Sequence, residues 1–258
     1  MNQTIYLGFI ASLLAGMGTA LGALPILFTA RLEKKWQGIL LGLGGGVMLA
    51  ATTFSLIIPG TEAAMALGYS KPQAALIVSM GIILGAGLLW FIHNNFPHEH
   101  FFKGQEGRIT QNWQRIWLFV LAITLHNFPE GLAVGVGFGD GNVSTGLPLA
   151  VGIGLQNMPE GLVVALALRE LDYSLASAFG ISLLTGLVEP IGGLVGAGVV
   201  SFGQSFLPWG MAAAAGAMLF VIVDEIIPEI DHKSIAQEGT LGIMSGFVAM
   251  MFLDIAFG

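Results

Sequence analysis

Two copies of one short pattern carry the side chains best suited to chemistry. The first is Leu125-His126-Asn127-Phe128-Pro129-Glu130-Gly131-Leu132-Ala133-Val134. The second, offset by 30 residues, is Leu155-Gln156-Asn157-Met158-Pro159-Glu160-Gly161-Leu162-Val163-Val164. The shared skeleton is Leu-x-Asn-x-Pro-Glu-Gly-Leu-x-Val. Both copies sit in long apolar stretches, where a bare carboxylate is costly. Residues four apart share a helix face, so His126 stands over Glu130 and Gln156 over Glu160. Asn127 and Asn157 flank the same faces. Pro129 and Pro159 lack an N–H, so the carbonyls of Leu125 and Leu155 lose their helical partners. Each copy therefore reads as a kinked helix with a freed backbone oxygen beside a carboxylate.

A third carboxylate, Glu189, precedes Pro190 in a further apolar run. Three ionised carboxylates in hydrocarbon require counter-charge. None of the nine basic residues lies mid-span, so bound cations or protons must supply it. The donor set is imidazole, carboxylate and carboxamide, with no cysteine in the chain. That chemistry suits Zn²⁺, Fe²⁺, Mn²⁺ or Cd²⁺ better than Cu⁺. Without a rigid thiolate cage, binding should be releasable. The bland alternatives are a protonated packing glutamate and a hydrogen-bonded core histidine. Duplication, together with His126 one turn before Glu130, favours the ion site over both. Asn127 and Asn157 stay open between metal ligation and satisfying freed carbonyls.

These groups must be positioned by membrane helices. The chain has 258 residues, 55% hydrophobic and 10% charged, against roughly 25% charged in soluble domains. Its 16 acidic and 9 basic residues speak against a nucleic-acid partner. The N-terminus has no basic n-region, so no cleaved signal peptide is expected. Eight apolar stretches reach the roughly 20 residues needed to span a bilayer: Ile5–Ala30, Gly38–Ile58, Gln73–His93, Arg115–Gly139, Gly146–Leu168, Ser174–Ser201, Pro208–Ile230 and Glu238–Phe257. The expectation is one all-α transmembrane domain over residues 1–258, with helices four and five kinked. Arg31, Lys34, Lys35, Lys103, Arg108, Arg115, Arg169 and Lys233 fall in loops on one side, and Lys71 alone on the other. The basic side faces the cytoplasm, which places both termini outside. The third loop, about Asn94 to Gln114, is inside; with His93, His98, Glu99 and His100 it could collect metal, although a merely solvated loop is the simpler reading. Gly131/Gly135/Gly139, Gly42/Gly46, Gly192/Gly196 and Gly242/Gly246 form small-residue stripes that let helices approach closely.

The pair His-Asn-Phe-Pro-Glu-Gly and Asn-x-Pro-Glu-Gly resembles the signature of the ZIP (Zrt/Irt-like) divalent metal transporters. The resemblance covers the whole chain, and Gln156, where many members have histidine, is similar to the bacterial GufA-type branch. It implies an integral protein of the bacterial inner membrane that carries zinc or another divalent transition metal into the cytoplasm, with no organic cofactor. It implies one metal on His126, Glu130, Gln156 and Glu160. A second would sit on Asn127, Asn157 and Glu189, with Glu130 and Glu160 bridging. Asn157 replaces an aspartate found in relatives, which weakens that second site. The resemblance further implies homodimers in lipid, and movement of spans one, four, five and six against the other four. By position, Asp254 and Ser55 resemble entrance residues, and Asp224 and Glu225 exit residues. Two rival classes are disfavoured. An intramembrane metalloenzyme usually carries His-Glu-x-x-His, which is absent. A coupled carrier of an organic substrate would want a buried Arg or Lys.

Overall fold

The computed structural model describes residues 3–28, 33–95, 98–100, 104–106, 115–139, 141, 143–170, 172–230 and 235–257. Its helices are α1 (Gln3–Ala23), α2 (Lys34–Ala51), α3 (Ile58–Ala66), α4 (Lys71–Asn95), α5 (Arg115–Gly137) and α6 (Val143–Glu170). They continue as α7 (Leu175–Gly186), α8 (Glu189–Ser201), α9 (Leu207–Val221), α10 (Ile227–Ile230) and α11 (Ala236–Phe257). A two-stranded antiparallel hairpin pairs β1 (His98–His100) with β2 (Gly104–Glu106), the one departure from an all-α reading among the described residues. Seven stretches among those residues are long and apolar enough to cross a membrane. The expected fourth stretch is a helix, α5, of 23 residues, and is not one of those seven. Large apolar side chains point outward, among them Leu76, Ile83 and Leu88 on α4 and Leu241, Val248 and Phe252 on α11. Such a continuous apolar exterior fits a lipid surround.

Prolines explain where the apolar runs break. The sixth stretch was expected as one helix and is two. Pro190 cannot donate to the carbonyl of Gly186; α7 ends at Gly186 and α8 starts afresh at Glu189. Ser174 caps the start of α7, accepting from the Ser177 N–H at 3.1 Å. Wide π-helical turns interrupt the second and seventh stretches, at Thr52–Ile57 and Ile222–Ile226. Each is followed by a helix with proline at its second position, Pro59 or Pro228. Those prolines lack the N–H that would bond back into the turn, and such π-bulges are frequent at functional sites. α5 and α6, by contrast, run on as helices through Pro129 and Pro159.

The helices pack in two groups. α1 lies along α6 and α8, and α5 along α8; α2 lies along α11, and α4 along α9. The groups meet chiefly where α2 and α11 touch α6 and α5 touches α9. The glycine stripes serve these internal contacts. A Cβ on Gly131 or Gly135 would collide with the backbone of Glu189 or Gly193 on α8. Gly242 and Gly246 face the backbone of Ile39 and Leu43 on α2 in the same way.

Candidate metal-binding site

The two copies meet face to face. α5 brings His126, Asn127 and Glu130; α6 brings Gln156, Asn157 and Glu160; the break before α8 brings Glu189. All seven are buried, none more than 7% exposed. His126 Nε2 lies 3.5 Å from Glu130 Oε1 and 3.6 Å from Glu160 Oε1. One ligand atom from each of these three residues falls within 4.8 Å of the others. A metal holding its ligands at about 2.0–2.1 Å in a tetrahedron spaces them about 3.3–3.4 Å apart. The two spacings from His126 thus need only a few tenths of an ångström of contraction.

The amides are oriented by carboxylates. Gln156 Nε2 donates to Glu130 Oε1. Asn157 Nδ2 donates to Glu189 Oε1 at 2.7 Å and to the carbonyl of Ala15 on α1 at 2.9 Å. Each amide uses its NH₂ this way and leaves its carbonyl oxygen without a partner among the described residues. Gln156 Oε1, Asn157 Oδ1, Asn127 Oδ1, Glu130 Oε2, Glu189 Oε2 and both oxygens of Glu160 accept no hydrogen bond among the described residues. Buried polar atoms are almost always paired in folded proteins. Several acceptors facing one another without a donor is therefore the pattern of a cation site. The charged groups acting on Glu189 are Glu130, Glu160 and His126, so the three carboxylates form one electrostatic unit.

The flanking candidates separate into two clusters. Ser55 Oγ donates to both carboxylate oxygens of Asp254, at 2.8 and 2.9 Å, joining the first π turn to α11. Asp224, in the second π turn, lies 3.0 Å from His93 Nε2. His93 corrects an expectation: it is not in a loop. α4 runs two residues beyond it, burying the imidazole edge-on against Phe220 with ring centroids 5.4 Å apart. His98, Glu99 and His100 lie on β1, and Glu225 in the second π turn; their side chains fall outside the described residues. Sequence reasoning missed two features. Ala15 acts through its carbonyl, which leaves no trace in residue type. The pairing of His93 with Asp224 was hidden by placing His93 at a span boundary.

A model of the family described as "ZIP Zinc transporter" matches residues 93–254. The chain is 50% identical over 251 residues to the zinc transporter GufA of Myxococcus xanthus, covering 97% of this chain and 99% of that protein. It is 45% identical to the zinc transporter ZIPB of Bordetella bronchiseptica, covering 93% and 78%, and 32% identical to the human zinc transporter ZIP11, covering 94% of each. With its duplicated motif meeting in one buried donor cluster, this chain belongs to the ZIP family.

Proposed function

We propose that the protein carries divalent transition metals, zinc foremost, across a bacterial inner membrane into the cytoplasm. The observation that carries this reading is the buried cluster of His126, Glu130 and Glu160, together with buried carboxylate and amide oxygens on α5, α6 and α8 that accept no hydrogen bond among the described residues. In this reading eight helices span the bilayer, the sixth broken at Glu189, with both termini outside. The metal is cargo, and no organic cofactor or catalytic step is involved. The division of the helices into two groups supports movement of α1, α5, α6, α7 and α8 relative to the rest, in a homodimer. Ser55 with Asp254 would serve the outer end of the path. Asp224 with His93, joined by Glu225, would serve the inner end, and His98, Glu99 and His100 would collect released metal. One ion on His126, Glu130, Gln156 and Glu160 is the primary site. Asn127, Asn157 and Glu189 form a weaker second, because amides replace charge there.

The test is uptake into proteoliposomes from a panel of divalent ions. Saturable Zn²⁺ uptake that other transition metals inhibit is expected; permeation of none of them would remove the proposal. Gln156 gives a finer check. Imidazole binds borderline metals more tightly than a carboxamide oxygen. Gln156→His should tighten Zn²⁺ binding by about tenfold, with a smaller effect on Mn²⁺. Unchanged dissociation constants for both metals would show that Gln156 is not a ligand.

A further inference from the structure

Serine and threonine within a helix can turn the hydroxyl back to the carbonyl four residues earlier. Ser12 donates in this way to Gly8 at 2.7 Å, Thr52 to Met48 at 2.8 Å and Thr124 to Val120 at 2.7 Å. Thr19 on α1 breaks the pattern. It is 1% exposed, and its hydroxyl has no hydrogen-bond partner among the described residues, an uncommon state for a buried polar atom. The acceptor four residues back is the carbonyl of Ala15, to which Asn157 Nδ2 already donates at 2.9 Å. A carbonyl oxygen has two lone pairs. The helical N–H of Thr19 takes one and Asn157 the other. The Thr19 hydroxyl is turned instead towards Gly186 at the end of α7, where a Cβ would come within 2.7 Å of it.

The same Asn157 nitrogen donates to Glu189 Oε1 at 2.7 Å, while Asn157 Oδ1 accepts nothing among the described residues. Asn157 thus shows Glu189 an NH₂ group, which cannot ligate a cation. For the two residues to hold one ion, the carboxamide must turn so that its oxygen replaces its nitrogen beside the carboxylate. That turn takes the NH₂ off the Ala15 carbonyl. We propose that Thr19 is a positioning residue for the second metal: its hydroxyl takes over the Ala15 carbonyl as Asn157 turns its oxygen to the ion. This rests on the second-site reading above. Rotation about the Cα–Cβ bond alone brings a helical threonine hydroxyl to that carbonyl. The exchange keeps both lone pairs of Ala15 paired and gives the Thr19 hydroxyl a partner, which it lacks while Asn157 holds Ala15. An unpaired buried hydroxyl is therefore tied to the arrangement that presents the amide nitrogen, and turning of Asn157 relieves it.

The test compares purified full-length wild type with Thr19→Val, which puts a methyl where the hydroxyl was, and Thr19→Ser, which keeps the hydroxyl. Each is titrated calorimetrically with Zn²⁺, and each is melted in detergent without metal. Two binding events are expected in wild type. Thr19→Val should weaken the second by about tenfold and leave the first within about threefold, while its metal-free melting temperature stays level or rises. Thr19→Ser should bind as wild type does. A threonine with only a packing role would give the reverse, a lower melting temperature with both affinities unchanged. That result overturns the proposal, as would an equal loss at both events. Asn157→Ala separates the two levels. If it removes the second event while Thr19→Val leaves that event intact, only the role of Thr19 fails. A second event that survives Asn157→Ala, or a single event in wild type, defeats the second site itself and the role of Thr19 with it.

Discussion

Replacing either Glu130 or Glu160 with alanine is expected to abolish metal uptake. Each carboxylate faces His126 Nε2 at 3.5 or 3.6 Å, so each removal takes a charged donor from a site with few to spare. The loss should be at least about hundredfold in apparent affinity, or about 2.7 kcal/mol. Misfolding is not the expected cause, because either change relieves repulsion between buried carboxylates. The isosteric variants Glu130→Gln and Glu160→Gln check this: they should keep wild-type thermal stability and still fail to transport. Wild-type uptake by either alanine variant would end the account of this site.

Gly131→Leu should prevent correct assembly of the helices around the site. Position 131 has no room for a Cβ, because the backbone of Glu189 occupies that space. A leucine must push α5 off α8 and pull Glu189 away from Glu130. Overpacking typically costs about 1–3 kcal/mol, and here the obstacle is backbone, which cannot rotate aside, so the upper end is expected. Gly198 on α8 is the matched control, since a Cβ there meets nothing within 4 Å. Gly198→Leu should keep its melting temperature in detergent while Gly131→Leu loses several degrees and binds no metal. Equal stability of the two would show that the α5–α8 approach is looser than described.

The sequence made the site legible because its chemistry is written in residue types. Two Pro-Glu-Gly units at one offset, with His126 and Gln156 one turn before, already place their donors on facing helices. Ser55 and Asp254 were also singled out, though nothing in the sequence shows that they touch across 199 residues. Backbone geometry was harder to read. Continuous apolar runs conceal a single extra residue per turn, so the π turns at Thr52–Ile57 and Ile222–Ile226 went unseen. Pro59, Pro228 and Pro190 were the available signals, each removing one backbone donor from the helix. Glycine spacing alone did not tell Gly42, which touches α11, from Gly44, which faces Glu160. The sequence holds no information on which carbonyl would orient Asn157, and the answer, Ala15, is a residue with no functional side chain.

In the proposed site a metal ion supplies the counter-charge for Glu130, Glu160 and Glu189. Calorimetric titration of the purified protein with Zn²⁺, in buffers of different ionisation enthalpy, tests it most directly. Metal ligands bind in their deprotonated forms, so the ion displaces any protons that balance the empty carboxylates. Protons then compete with metal: affinity falls as pH falls, with a slope that counts the protons exchanged. Saturable Zn²⁺ binding with measurable proton release between about pH 6 and 8 is expected, and no binding by Glu130→Gln/Glu160→Gln. Binding without proton release, or binding that survives the double substitution, would contradict it.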